Sequence, residues 1–200
     1  GVHLHGVLRI ERGHLVRVFE PADGWCYANL VEQHGTAPLE DFRRAYPGLS
    51  SCRYRCADLT LHDILAHTDL ALVHEWNDPE LVGRIGAHHQ NNGGYRLLFH
   101  DTHHRSVTEP QKLGAYDLSG YDGVLAYGRA IADVYLKHNW ARRVWVWHEA
   151  ADTRVFGPLA GVRKELDLVW IGNWGDDERA EELSEFLLWP VQALGLKAAV

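Results

Sequence analysis

Methionine is absent from the 200 residues, and cysteine occurs only as Cys26, Cys52 and Cys56. An odd set of thiols without a CxxC pair makes neither a disulfide framework nor a redox motif, and it reads as reduced structural thiols in a cytoplasmic protein. Cys52 and Cys56 stand at a C-x3-C spacing, with no second pair to complete a zinc site. Long apolar runs are also missing, so no segment reaches the roughly 20 residues that span a bilayer. No charged stretch followed by an apolar one opens the chain as a secretory leader would. Basic excess is lacking too. A net charge of -7 and a pI near 6.0 leave no basic face to neutralise phosphates, which excludes a general nucleic-acid binder. There is no internal repeat, low-complexity tract or block of like charge. The chain lacks even an initiator methionine and stops on Leu196-Lys197-Ala198-Ala199-Val200, which reads as a strand just beginning. The expectation is a piece of a longer protein, extended at both ends.

What is present has ordinary globular proportions, 46% apolar and 24% charged, enough for one full domain or one domain plus part of a second. Short apolar runs recur, each ending in a polar residue or glycine: Leu15–Phe19, Leu70–Val73, Arg96–Phe99, Val124–Tyr127, Val144–Trp147 and Leu168–Ile171. Runs that are apolar at consecutive positions suit strands covered on both faces, as in parallel sheets. Helical patterns lie between them. Asp78-Pro79 starts one through about His89, with Leu81, Val82 and Ile85 at helical spacing. Arg129–His138 carries Ile131, Val134 and Tyr135 on one face. Asp176-Asp177-Glu178 opens a third, with Leu183, Phe186 and Leu187 as its stripe and Pro190 closing or kinking it. The alternation predicts an α/β fold built on a Rossmann-like open parallel sheet over residues 1–158. A linker then covers 159–166, and 167–200 begin a second Rossmann-like domain too short to bury a core of its own.

Ligands of open α/β sheets bind at the carboxyl ends of the strands. That rule selects His74, Glu75, Trp76 and Asn77, then His100, Asp101, Thr102, His103 and His104. It also selects His148 and Glu149, and Gly172-Asn173-Trp174-Gly175. Histidines and carboxylates there suit general bases, hydroxyl-binding groups or metal ligands. The same run His100–Arg105 reads equally as a polar loop whose histidines cap a helix or bind carbonyls, and 14 histidines make chance clustering a real alternative. No HExxH or cysteine set supports a metal. Glu75 beside Trp76 suits a sugar ring, but Trp76 also suits simple packing at a strand end. Gly172–Asp177 is a strand-to-helix turn whose two aspartates would repel a phosphate. His3, His5 and Gly6 would belong to a first βα loop if a strand preceded them, which leaves their role a guess.

These residues carry a family likeness. Arg12-Gly13-His14-Leu15-Val16-Arg17-Val18-Phe19-Glu20-Pro21 resembles the junction from first helix to second strand in GT-B glycosyltransferases. Ala151-Asp152-Thr153-Arg154-Val155-Phe156-Gly157-Pro158 looks like the segment that ends their N-terminal domain. Asp167–Asn173 resembles the first strand of their C-terminal domain. The continuation through Asp177-Glu178-Arg179 is similar to bacterial glycosyltransferases of the spore-maturation-protein-like group. His74-Glu75-Trp76-Asn77 and Phe99-His100-Asp101-Thr102-His103-His104 also have close counterparts there.

The resemblance covers most of residues 6–200. It implies transfer of a sugar from a nucleotide-sugar donor to an acceptor, with no cofactor and no bound metal required. The N-terminal domain would hold the acceptor and supply the base, and the C-terminal domain would bind the donor. His100 and Asp101 are then the base candidates. His74, Glu75, Trp76, Asn77, His103, His104 and Glu149 would contact substrate, and Gly172 and Asn173 would face the cleft from the second domain. Most donor contacts would lie beyond Val200, so these residues alone should be inactive. Two other classes stay open. One is a metal-dependent hydrolase using His74, His100, Asp101, His103 and His104; the other is a non-catalytic sugar- or nucleotide-binding relic of the fold.

Overall fold

Consecutive apolar residues at 70–73, 97–99 and 124–126 pair as neighbouring strands. In the computed structural model, which describes residues 13–47, 49, 51–103, 105–153, 156–172, 174–175 and 177–200, they form a parallel sheet. The chain divides into two compact units, 1–152 and 153–200, a little before the break expected at Pro158. In the first unit the main sheet runs in chain order. It comprises β3 (Leu70–His74), β4 (Arg96–Asp101), β5 (Gly123–Ala126) and β6 (Val144–Val146). All its pairings are parallel, and their register sets Val73, Phe99, Val124 and Val144 in one row and His74, His100, Leu125 and Trp145 in the next. This is a mixed α/β architecture with a four-stranded parallel sheet flanked by helices, consistent with a Rossmann-like arrangement.

Alternation along a strand sends successive side chains to opposite faces. The row of Val73, Phe99 and Val124 is buried, whereas on the other face Leu70 stays 48% and Trp145 44% exposed. The buried face is sealed by α4 (Pro79–Asn92) and α7 (Arg129–Lys137). Asp78 caps α4, its carboxylate accepting from Glu80 N–H at 2.8 Å, and Pro79 supplies a φ already suited to the first turn. The helix buries Leu81 and Val82, and α7 buries Ile131, Ala132 and Tyr135. Each such side chain is worth about 1.5–3 kcal/mol. The second face is less covered than the continuous apolar runs suggested.

The buried face also needs a close backbone approach. Gly86 on α4 meets Gly120 in the loop before β5, where an added Cβ would run into the Gly86 carbonyl. Backbone cannot step aside as a flexible side chain can. Gly120→Ala is therefore expected to cost about 2–3 kcal/mol, read as a lower urea midpoint at unchanged slope; a loss within about 0.5 kcal/mol would refute the contact.

Before the main sheet, β1 (Val18–Pro21) pairs in parallel with β2 (Ser51–Tyr54). Between them lie α1 (Trp25–His34) and α2 (Ala37–Ala45), and α3 (Leu61–Leu65) follows. Arg17 ties the start of β1 to the segment entering β3, donating to Ile64 O at 2.7 Å, Ala66 O at 3.1 Å and Thr68 Oγ1 at 3.0 Å. After β4 come two single-turn helices, α5 (Arg105–Thr108) and α6 (Pro110–Leu113).

In the second unit β7 (Leu168–Val169) pairs in parallel with β8 (Ala198–Ala199). The expected helix is present as α8 (Asp177–Leu183), but Pro190 does not close it. The chain passes through a π-helical turn, Ser184–Leu188, into α9 (Trp189–Leu194). In that wider turn Trp189 N–H bonds to Ser184 O, five residues back, which lets a residue without an N–H sit in the first turn of α9. Among the described residues no helix is long and apolar enough to cross a membrane.

Candidate functional site

Two residue pairs end the central strands, His74-Glu75 on β3 and His100-Asp101 on β4. The register sets His74 opposite His100. The carboxylates, one residue further on, point to the buried face, and both Glu75 and Asp101 are 0% exposed. The histidines share the other face, their rings 5.3 Å apart and edge to face. Beyond His100 stands Trp147, 5.1 Å from its ring. Trp147 N–H bonds to Ala126 O at 2.7 Å, which carries the β5–β6 pairing to the same edge.

Glu75 is held by three hydrogen bonds. Its N–H donates to His100 O at 3.0 Å, and its carbonyl accepts from Tyr116 OH at 2.6 Å. Thr102 Oγ1 donates to Oε1 at 3.1 Å, and His74 Nδ1 lies 2.7 Å from Oε2, which is buried without an aligned hydrogen-bond donor. A ring lone pair facing a carboxylate at that distance would be repulsive, which favours the tautomer with its proton on Nδ1 over the one in which Nδ1 accepts from Trp76 N–H at 3.4 Å. Nε2 then faces the partly open side, 3.4 Å from Thr102 Oγ1. A histidine oriented by a buried carboxylate is the arrangement used by positioned general bases.

Asp101 is fully engaged inward. Oδ2 accepts from Tyr135 OH at 2.8 Å and Oδ1 from His103 N–H at 3.0 Å. Burial raises its pKa above the usual carboxylate value, against the lowering effect of those two bonds, and the charge of Glu75 adds to the rise. Tyr135 is pushed up strongly by burial and by Asp101. With no exposed oxygen, Asp101 fixes the turn that carries His103. His100 is the opposite case. Burial, then the neighbouring His74, lowers its pKa, partly offset by Glu75 and Glu149. The ring is therefore neutral at pH 7 and able to accept a proton.

This shift links to stability. The unfolded chain takes up the proton at the ordinary value of about 6.5, before the folded one does, so folding loses stability as pH falls through that value toward the lower folded one. His100→Gln should remove part of this loss, read as a smaller drop in urea midpoint between pH 7.5 and 5.5 than the parent shows. Equal drops would show that His100 is not perturbed.

The other expected site residues have mixed positions. Trp76 points outward, 63% exposed, with its ring 5.3 Å from that of His103. Asn77 is a brace, donating to His74 O at 2.8 Å and accepting from Tyr54 OH at 2.9 Å. Glu149, past the end of β6, is exposed. Gly172 belongs to the second unit, where a Cβ would lie 2.7 Å from the Trp170 ring, which is why glycine stands there. His104 and Asn173 lie outside the described residues, as do His3, His5 and Gly6.

The site also uses residues that were not expected to contact substrate. Thr102 is selected by the strand-end rule without a role, and Trp147 ends a run that reads as a strand. Tyr135 reads as part of an apolar helix face, and Tyr116 carries no sequence signal. Comparison with known proteins finds no family model, no curated protein and no solved structure that matches the chain.

Proposed function

We propose that this chain carries the acceptor-side domain of a glycosyltransferase that moves a sugar from a nucleotide-sugar donor to an acceptor hydroxyl. The observation that carries the reading is the pair His74 and His100 at neighbouring strand ends, with wholly buried Glu75 set 2.7 Å behind His74. The motif resemblance to GT-B enzymes supports the choice among group transfers to a hydroxyl.

In this reading the acceptor oxygen attacks the anomeric carbon as the bond to the nucleoside diphosphate breaks. Its proton passes to a ring nitrogen of neutral His100 or to Nε2 of His74. Glu75 would orient His74 and stabilise the imidazolium formed there; such proton transfer typically contributes about 10²–10⁴ in rate. Trp76 and Trp147 would give flat apolar walls beside the reacting sugar. Residues 167–200 would open the donor-binding domain.

The test is a panel of nucleotide-sugars against the protein with the sequence that naturally flanks it, reading thermal shift and nucleoside diphosphate release. One donor that raises the melting point and is slowly hydrolysed supports the reading. No shift and no release with any donor overturns it.

A further inference from the structure

Arg105 stands out among the described arginines. Arg17, Arg44, Arg53 and Arg96 each reach a named acceptor. The Arg105 guanidinium has Nε and Nη2 shielded from solvent, with no protein acceptor for either. One face of the guanidinium stacks on the Trp76 ring, 4.1 Å from its centroid. Of the nearby carboxylates, Asp101 is taken by Tyr135 and His103 and Glu109 by Lys112, while Glu75 accepts from Thr102 at Oε1 and keeps Oε2 without a hydrogen-bond partner, 2.7 Å from His74 Nδ1. Its charge reaches Asp101 without forming a hydrogen bond to it. A planar two-donor edge, desolvated and left without an acceptor, is a costly feature for a fold to keep unless something else occupies it.

We propose that the Nε–Nη2 edge of Arg105 is a receptor for an oxyanion, a carboxylate or phosphate group, beside the Trp76 ring that stacks on the guanidinium face. The guanidinium fork matches both anions in a bidentate way, which lysine cannot reproduce. Trp76 is 63% exposed, so the ring over the guanidinium face can shift at little cost in packing as an anion reaches the adjoining edge. Trp76 follows Glu75 directly, and Thr102, three residues before Arg105, donates to Glu75 Oε1, so the anion would sit beside the His74–Glu75 pair. The site does not depend on sugar transfer, and it holds whichever reaction the histidines serve.

The experiment titrates the protein with inorganic phosphate, sodium acetate and sodium chloride at matched ionic strength, and follows the melting temperature and tryptophan fluorescence. A ligand that binds only the folded state raises the melting temperature with concentration. Phosphate or acetate should do so beyond chloride, with a fluorescence change as Trp76 moves, and the stronger of the two names the anion. Arg105→Met should lose that increment, while its own melting point without anion is unchanged or higher. Arg105→Lys keeps the charge and should bind the preferred anion at least tenfold more weakly. Equal responses of the parent to phosphate, acetate and chloride would overturn the proposal. So would a parent-like response in Arg105→Lys. A lower melting point for Arg105→Met without anion, joined to an unchanged fluorescence titration in Arg105→Lys, would make Arg105 a structural counter-charge for Asp101 instead.

Discussion

On the proposed function, replacing Glu75 by glutamine is expected to cut turnover about a thousandfold, within the range that a positioned acid–base pair contributes, while the protein still folds. The side chain keeps its volume, and the amide oxygen can still accept from Thr102 Oγ1, now 3.1 Å from Oε1. The other arm changes in kind. His74 Nδ1 lies 2.7 Å from Oε2 and would meet an amide N–H, which donates and cannot accept. The ring then moves its proton to Nε2, the nitrogen that faces the open side near Thr102. A histidine with that tautomer cannot take a proton from a substrate through Nε2. Two readouts separate the parts of this argument. Nitrogen NMR of His74 should show the proton on Nδ1 in the parent and on Nε2 in Glu75→Gln, whatever the reaction. Nucleoside diphosphate release should fall with it. An unchanged tautomer would sink the geometry, and a changed tautomer with unchanged turnover would remove His74 from the reaction.

His89→Leu should be the most destabilising conservative-volume change at the opposite end of the sheet, costing roughly 2–6 kcal/mol from two desolvated carbonyls at 1–3 each. His89 sits in the last turn of α4 with Nδ1 2.7 Å from Gly120 O and Nε2 2.9 Å from Tyr95 O. Asp122 Oδ2 stands 3.7 Å from Nε2. One side chain thus ties α4 to both the strand entry at Tyr95 and the loop at Gly120, where the two glycine backbones already touch. Leucine fills the space and leaves both carbonyls without their partner. Urea denaturation measures the effect directly; a cost below about 1 kcal/mol would mean the carbonyls find other donors. His89→Gln, which can donate to only one of them at a time, should fall between.

Much of the α/β order is legible in the residues. The runs at 70–73, 96–99, 124–127 and 144–147 are apolar at consecutive positions, and each forms a strand of the main sheet within a residue or two of its expected limits. The helices at 79–92 and 129–137 follow from a proline at the first turn and from apolar residues three and four apart. Strand β2 was not legible, because Ser51-Cys52-Arg53-Tyr54 has no apolar run; it is an exposed strand held by pairing with β1, not by burial. Helices α1 and α2 bury no residue completely, and neither is among the expected helices, although Leu39, Phe42 and Ala45 stand at helical spacing on α2. Of the two expectations for Pro190, closing the helix fails, because a π-helical turn lets the helical path continue across it.

The candidate site divides in the same way. Local sequence placed His74-Glu75 and His100-Asp101 at strand ends, since a polar pair after an apolar run marks where a buried strand emerges. Alternation further requires that one member of each pair face each side of the sheet. Which member goes inside is not a local property. It depends on which face the helices cover, and α4 and α7 pack on the face of Val73, Phe99 and Val124. That choice buries Glu75 and Asp101 and leaves the histidines toward the open side. It also brings Tyr116 and Tyr135, distant in the chain, to the backbone of one and the carboxylate of the other. The sequence determined where the chemistry gathers. Only the packing of helices on one face decided that the histidines would look toward the open side and the carboxylates would stand behind them.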